Sequence, residues 1–446
     1  TLDRSSAASD VYKRQIQILL LISSAYAAFI AYRVGLRWKD LEEGITKRLS
    51  TAMPAIFIIL AVGIIVGSWM FSGTVPALIY YGLKFLNPSL LLVSAFIIST
   101  ITSVATGTAW GSASTAGIAL ISIASQLGVP SGMAAGAIIA GAVFGDKMSP
   151  LSDTTNLAAL VTKVNIFAHI KSMMWTTIPA SMIGLIVWFF AGLHFKGQAN
   201  SKQIQKLLKE LMTIYNINFV VWLPLIVIII CLIFRISTVP SMLISSLSAI
   251  IIGTFNNHFN IVDGFKATFD GFNHTMVHQP HLSKNVTTLI EQGGMMSMTQ
   301  IIATIFCGYA FAGIVEKAGC LDVILETVSK GVKSVGTLIL ITVVCCLMLV
   351  FAAGVASIVI IMVGVLMKEM FEKMNISKSV LSRTLEDSST MVLPLIPWGT
   401  SGIYYSQQLN VFVNQYLIWT IPCYLCALIT IVYGFTGIGI KKLSKD

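Results

Sequence analysis

The chain has 446 residues, of which 56% are hydrophobic and only 11% are charged. Soluble domains carry about 25% charged residues, so this composition excludes an ordinary soluble protein and indicates a membrane protein. The formal net charge of +10 would suggest a nucleic-acid partner in a soluble protein, but here the basic residues cluster in short loops. We therefore expect the lipid bilayer and no nucleic acid as partner, with the basic loops around Arg37 and Lys206 and the C-terminal lysines in the cytoplasm.

The first segment, residues 1–15, differs from everything that follows it. It is polar, and its part Asp10–Gln15 matches the translation of an adaptor used in sequencing libraries. We leave residues 1–15 out of the fold prediction as an artefact and expect the true N-terminus to be missing. The chain proper is then predicted to open with a membrane helix and a basic loop over 16–50.

Apolar segments recur along the rest of the chain. A helix needs about 20 mainly apolar residues to cross a bilayer, and we count about 10–12 membrane segments, some of which are too short to cross alone. The short ones are predicted to be interrupted helices or re-entrant hairpins, so the fold class is an all-α polytopic membrane protein. Ten apolar stretches lie near 16–32, 54–71, 89–105, 113–128, 132–144, 172–192, 217–234, 238–253, 298–314 and 334–353, and more follow near 354–367, 389–406 and 411–434.

An amphipathic linker at 196–216 divides the chain into two halves. The first repeat is predicted over 51–195 and the second over 285–434, with connecting helices and a loop over 217–284 and a basic tail over 435–446. In each half, glycine, proline and hydroxyl residues interrupt the hydrophobic segments at matching positions. This pattern is typical of transporters built from two inverted repeats around a central site.

The most informative segment is 145–156, which reads Gly-Asp-Lys-Met-Ser-Pro-Leu-Ser-Asp-Thr-Thr-Asn between apolar runs. A carboxylate at membrane depth is costly and marks an ion pathway, and Pro150 should break the helix and free backbone carbonyls. Sodium is a hard cation that binds several oxygen ligands. We predict Asp146 and Asp153 as sodium ligands, with further ion-binding oxygens from Ser149, Thr154, Thr155 and Asn156.

Two further stretches carry candidate ion-binding side chains. The second half contributes Asp387, Ser388 and Thr390, which we expect across a cavity from Asp153–Asn156. The break at 106–112 contributes Thr106, Thr108 and Ser112, although small residues there also suit plain helix packing. A packing role stays open for the acids as well, with Asp146 paired to Lys147, Asp387 paired to Arg383, and Glu386 at the membrane interface.

Segment 145–156 resembles the signature of the NhaC-type sodium/proton antiporter family. The stretches 72–82, 105–111, 293–298 and 381–390 are similar to that family as well. The resemblance implies a fold of the ion transporter superfamily, with inverted repeats and paired hairpins. It implies sodium/proton exchange, or exchange of an organic acid pair such as malate for lactate with sodium. The chain departs from the family pattern in its weakly polar residues at 354–357 and in Gly399, where asparagine is expected.

The sequence thus predicts a secondary active antiporter that exchanges sodium for protons through membrane-buried aspartates. A carboxylate holds either a proton or a cation, and this competition alone gives exchange. The chain lacks a phosphate-binding loop and a His-Glu-x-x-His motif, so we expect no enzyme activity and no cofactor. The alternatives are an exchanger of small organic acids or amino acids, and a channel. We expect a multi-pass protein of a prokaryotic cell membrane; a small organic anion and a homodimer stay open as partners.

One loop carries three histidines, His274, His278 and His281, at helix-like spacing. Such a set could bind zinc or sense pH. A solvated loop explains the same pattern.

Overall fold

The computed structural model describes residues 2–85, 87–150, 152–195, 201–234, 236–277, 282–319 and 334–443. Within these ranges the chain is almost entirely helical and contains no β-strand. The predicted all-α fold class is confirmed. The α-helices, numbered along the chain, are α1 (Leu2–Arg33), α2 (Trp38–Ser72), α3 (Thr74–Phe85), α4 (Leu91–Thr106), α5 (Ala109–Ser112), α6 (Ile118–Gln126), α7 (Ser131–Met148), α8 (Asp153–Thr162), α9 (Ile166–Leu193), α10 (Ser201–Ile214), α11 (Leu223–Ile233), α12 (Thr238–Asn256), α13 (Ile261–Asp270), α14 (Lys284–Ile290), α15 (Thr299–Lys317), α16 (Val335–Ala353), α17 (Ala356–Lys373), α18 (Lys378–Ser388), α19 (Thr400–Gln408), α20 (Val413–Tyr416) and α21 (Ile421–Thr436).

Helices that can cross a bilayer alternate with shorter, broken ones. In the described part of the chain, 4 helices are long and apolar enough to span a membrane, and 7 if each bent helix pair counts as one span. The bent pairs include α2 with α3, which meet at 70° where Gly73 takes a left-handed conformation with φ 84°. Two shorter apolar helices, Gln17–Arg33 and Pro88–Val104, add to these. Interrupted membrane helices are therefore a property of this fold, as predicted.

The two halves repeat one pattern of breaks at a constant distance along the chain. Gly107 and Gly354 both end a helix in the left-handed conformation, with φ 67° and φ 66°. The residues that follow them are both extended, Thr108 at φ −147° and Val355 at φ −143°. The difference between positions 354 and 107 is 247.

The same difference of 247 separates further matched positions. Left-handed Gly128 corresponds to left-handed Asn375, and left-handed Lys163 corresponds to left-handed Asn410. Helices α7, α8 and α9 begin at residues 131, 153 and 166, and helices α18, α19 and α20 begin at 378, 400 and 413. The two halves therefore share these turns and helix starts in the same order. That one half is inverted relative to the other stays a prediction.

Helix α7 lies against α4 at very close range, and this contact positions the polar segment that follows α7. A side chain on Gly141 would place its Cβ 2.3 Å from the backbone oxygen of Phe96. The Ser103 hydroxyl donates to the carbonyl of Ala142 at 2.6 Å. Glycine and hydroxyl residues thus let two helices approach closely without a hydrophobic driving force between them, as is usual in lipid.

The predicted amphipathic linker contains α10. Its residues Leu207, Leu211 and Ile214 are buried, whereas Lys206 is exposed. The helix packs against α3 and α14. Its apolar stripe therefore faces protein.

Candidate functional site

The polar segment 145–156 contains the helix break that the sequence predicts at Pro150. Helix α7 ends at Met148, Ser149 and Ser152 are extended, and α8 begins at Asp153. Because α7 and α8 are separate helices, their ends meet inside the protein rather than continuing as one rod. The last backbone carbonyls of α7 are thereby released from the regular helical pattern.

Three side chains of this segment hold the break in place through backbone carbonyls. Ser149 donates to the carbonyl of Val104 at 2.9 Å. Thr155 donates to the carbonyl of Lys147 at 3.2 Å, and Asn156 donates to the carbonyl of Pro150 at 2.8 Å. These three predicted ion-binding residues therefore shape the loop and do not line the cavity described below.

A cavity of about 340 Å³ lies where the broken helices of both halves meet. Asp146 and Asp153 both line it, the first half-buried and the second exposed to it. The Ser152 side chain lies beside the Asp146 carboxylate. The other polar side chains that line the cavity are Thr108, Trp110, Ser152, Thr154, Tyr309, Ser357, Thr390, Thr400, Ser401 and Tyr405. The two halves of the chain therefore share one cavity.

In the described part of the chain, four helices begin at this cavity. The first residues of α5, α8, α17 and α19 are Ala109, Asp153, Ala356 and Thr400, and all four line the cavity. Helix α5 runs on through a π-helical turn at 113–117 into α6. A helix N-terminus carries roughly +0.5 elementary charge, so the cavity combines two carboxylates with four partly positive helix ends.

Trp110 and Tyr404 form an aromatic pair beside the cavity. Their rings stack with centroids 4.8 Å apart, and the Trp110 indole donates to the hydroxyl of Ser401 at 3.2 Å. Trp110 belongs to the first half and Ser401 to the second, so this contact joins the halves beside the cavity.

Lys147 and Asp387 form an ion pair between the halves, and both side chains are fully buried. Thr430 also donates to Asp387. The expected packing pairs, Asp146 with Lys147 and Asp387 with Arg383, are wrong. Adjacent helical residues do not face each other, so Asp146 faces the cavity while Lys147 faces α18. Arg383 donates instead to the carbonyl of Gly439 at 3.1 Å.

Because of this pairing, Asp387 is not among the residues that line the cavity. Its neighbour Ser388 is buried and does not line it either, whereas Thr390 does. In the first half, Thr108 lines the cavity, but the Ser112 hydroxyl donates to the carbonyl of Ser99 at 2.8 Å within the helix packing. Thr106 ends α4, and its side chain lies outside the described residues.

Glu386 was expected at the membrane interface, and this expectation is wrong. The side chain is fully buried and lies beside Thr154 and Thr390. The reason is that α18 runs through the protein interior, where every residue from Ser379 to Ser388 is buried.

His169 is a buried polar residue that the sequence reasoning did not identify. It is fully buried in α9, and its Nδ1 atom lies 2.7 Å from the hydroxyl of Ser382. A lone histidine in an apolar helix, four residues after the helix cap Asn165, was the available signal. Sequence alone gave no sign of its partner, which lies on α18.

The histidine loop holds no metal-binding cluster in its described part. His274 pairs with Glu291, and both side chains are partly exposed. His278 and His281 lie outside the described residues. Across the described ranges, no group of three or more His, Cys, Asp or Glu side chains is placed to hold a metal ion.

Broken helices that meet at a polar cavity between two halves of a membrane protein define a secondary transporter. Residues 141–438 match the model of the Na+/H+ antiporter family, and the chain belongs to that family. The resemblance found in the sequence is thereby confirmed.

Three relatives align with nearly the whole chain. An uncharacterised Na(+)/H(+) antiporter of Haemophilus influenzae is 35% identical, covering 96% of this chain and 92% of the relative. The Malate-2H(+)/Na(+)-lactate antiporter of Bacillus subtilis is 33% identical over 95% of this chain and 89% of its own. The Na(+)/H(+) antiporter NhaC of Alkalihalophilus pseudofirmus is 33% identical over 95% and 90%.

Proposed function

We propose that the protein exchanges sodium for protons across a prokaryotic cell membrane, with Asp146 and Asp153 as the shared binding groups. The observation that carries this proposal is the lining of the cavity. Two carboxylates face it, and no lysine, arginine or histidine side chain lines it within the described residues. No fixed cation in this lining balances the charge of the two carboxylates, so a mobile cation or a proton can bind to them.

The cavity supplies the oxygens that a sodium ion needs after it leaves water. Such an ion takes about six oxygen ligands. The carboxylates of Asp146 and Asp153 and the hydroxyls of Ser152, Thr154 and Thr390 face one space from both halves. Backbone carbonyls at the break and water complete the set.

Helix α8 places Asp153 at its own N-terminus. The partial positive charge of a helix start stabilises an ionised carboxylate by about 0.3–1 kcal/mol at exposed sites. Asp153 therefore stays ionised in the absence of sodium more readily than an isolated carboxylate at the same depth, and presents a charge to an entering ion.

The exchange needs no energy source apart from the two gradients. Either a sodium ion or a proton occupies the carboxylates, and the occupied site can then open to the other side of the membrane. Each elementary charge that moves through a potential of 100 mV carries about 2.3 kcal/mol. A proton gradient can therefore drive sodium out of the cell as long as the same carboxylates bind both.

A second candidate is the exchange of small organic acids together with sodium and protons. Two observations favour it. The cavity volume of about 340 Å³ is roughly ten times the ~30 Å³ that one water occupies in the liquid, which is far more than a bare ion needs. The starts of α5, α8, α17 and α19 at the cavity also suit the carboxylate of an organic substrate.

The test is transport by the purified protein in proteoliposomes. An imposed sodium gradient should change the internal pH, and Asp153→Asn should abolish this change while the protein still inserts and folds. Asp270→Asn, the same substitution at an exposed position, should transport normally. Full exchange by a well-folded Asp153→Asn variant would contradict the assignment.

The same vesicles separate the two candidates. Sodium-driven proton movement without any organic acid supports the antiporter. Movement only after malate, lactate or an amino acid is added supports the organic exchanger.

A further inference from the structure

One stretch of the cavity lining lies between two irregularities of the backbone. Residues 107–110 all line the cavity, and the last two of them open the four-residue helix α5. Gly107 lies before this helix in the left-handed conformation, with φ 67°, and the π-helical turn at 113–117 follows it. A π-helical turn holds one residue more than an α-helical turn, and such turns are frequent at functional sites. Segment 107–112 is therefore bounded on each side by a point at which the backbone departs from the α-helix.

The matching stretch of the second half is built differently. At the offset of 247, Gly107 corresponds to Gly354, and both are left-handed. After Gly354 the chain soon enters α17, which is 18 residues long and contains no π-helical turn. Ser357 stands at the position that corresponds to Trp110. The second-half stretch is thus the start of a long regular helix, whereas segment 107–112 is a short piece that can turn separately.

Trp110 joins this segment to α19 of the second half. Its indole N–H donates to the hydroxyl of Ser401 at 3.2 Å. Its backbone carbonyl accepts from the hydroxyl of Tyr404 at 3.0 Å, and the two rings stack with centroids 4.8 Å apart. Ser114, inside the π-helical turn, also hydrogen-bonds Tyr404. The contacts with α19 therefore involve both the segment and the turn that bounds it.

We propose that Trp110 is a positioning residue of the transport cycle, which holds segment 107–112 against α19 until the cavity opens to the other side of the membrane. The proposal rests on the sodium/proton exchange proposed above. Conversion of the π-helical turn to α-helical geometry removes one residue from the turn and rotates the residues before it by about 100°. This rotation carries the Trp110 ring away from Ser401 and Tyr404. Trp110 thus acts by placing its neighbours in the lining and does not bind the ion itself.

The labelling rate of a cysteine in the segment tests the contact. Ala109 is 6% exposed, so Ala109→Cys, in a chain without the native cysteines, should react slowly with N-ethylmaleimide. Trp110→Phe keeps a ring beside Tyr404 but removes the hydrogen bond to Ser401, and Ser401→Ala removes the same bond from the other side. One hydrogen bond shifts an equilibrium by about fivefold, so each variant should raise the rate by about that factor. The two together should raise it no further, because they remove one shared bond.

Trp69→Phe is the matched control for this experiment. The Trp69 indole donates to the hydroxyl of Ser245 at 2.9 Å, and neither residue lines the cavity. The control should leave the labelling rate of Ala109→Cys unchanged. An unchanged rate in Trp110→Phe or in Ser401→Ala overturns the proposal, and so does an equal rise in the control.

A chemical cross-link tests whether the contact must break during transport. Trp110→Cys with Ser401→Cys, in the same chain without native cysteines, is joined by a short bifunctional methanethiosulfonate in proteoliposomes. Transport should fall to background, the linked protein should still bind radioactive sodium, and a reducing agent should restore transport. Methyl methanethiosulfonate modifies the same two positions without joining the halves, and most of the transport should remain.

Glu43→Cys with Lys317→Cys is the control for the cross-link. The same reagent then links α2 to α15 at the position of an ion pair outside the cavity, and transport should be normal. Full transport by the protein linked at positions 110 and 401, or an equal loss with the monofunctional reagent, overturns the proposal while sodium/proton exchange stands. If the unmodified protein exchanges no sodium for protons, the proposed function fails, and the labelling rates still decide whether Trp110 holds the segment.

Discussion

The buried ion pair between Lys147 and Asp387 makes a sharp prediction about stability. Both side chains are fully buried, and only Thr430 offers Asp387 another hydrogen bond in the described part of the chain. Lys147→Met leaves Asp387 without a bonded cation, and breaking a buried pair in this way costs about 3–5 kcal/mol. We expect the free energy of unfolding to fall by about that amount, a large share of the ~5–15 kcal/mol by which native proteins are stable.

The double variant separates the loss of the pair from the loss of packing. Lys147→Met combined with Asp387→Leu removes both charges, and most of the stability should return, because apolar replacements of a buried pair are often neutral. Unfolding in mixed detergent micelles, followed by circular dichroism as the denaturing detergent is increased, measures each variant. The double-mutant cycle then gives the coupling energy of the pair.

Lys373 provides the matched control. Its ammonium lies 3.9 Å from the carboxylate of Glu369, and the two side chains are 78% and 79% exposed. Lys373→Met should therefore cost about 0–1 kcal/mol. If Lys147→Met costs no more than this control, the reasoning about the buried pair is refuted. Sodium transport by a stable double variant would further show that Asp387 is not a sodium ligand.

Three other predictions concern affinity, packing and topology. Asp146→Asn should weaken apparent sodium affinity about tenfold, or about 1.4 kcal/mol, in radioactive sodium binding; unchanged affinity would leave Asp146 a packing residue. Gly141→Ala should reduce the yield of folded protein in size-exclusion chromatography, because the new Cβ would lie 2.3 Å from the Phe96 carbonyl oxygen. Gly308→Ala should leave the yield unchanged, because its Cβ would lie 4.0 Å from the nearest atom. Lys206→Cys, in a chain without the native cysteines, should resist an impermeant maleimide in intact cells; labelling from outside would reverse the topology.

The breaks in the helices could be predicted from sequence because they depend on local chemistry. Pro150 cannot continue a helix, and Gly107 and Gly354 take left-handed conformations that other residues rarely adopt. The position of Asp146 beside the cavity could be predicted as well. A carboxylate is costly in lipid, so one next to a break between apolar helices faces the protein interior.

The partners of the buried charges could not be predicted, because they depend on which distant helices pack together. Lys147 and Asp387 are 240 residues apart. Helix α18 was the harder case, since its serines, threonine and acids suggest an exposed helix, yet its residues 379–388 are all buried. Polarity indicates exposure in a soluble protein, but inside a transporter it indicates the side that faces away from lipid.

The offset of 247 between the halves has a consequence for the ancestry of the site. Matched left-handed residues and helix starts at one constant offset are what duplication of a single segment leaves behind. At that offset Asp153 corresponds to Thr400 and Asp146 corresponds to Leu393, whereas Pro150 corresponds to Pro397. The bends are present in both halves, while acids stand at these positions in the first half only. The bends are thus symmetric between the halves, whereas both carboxylates that line the cavity in the described residues come from the first half.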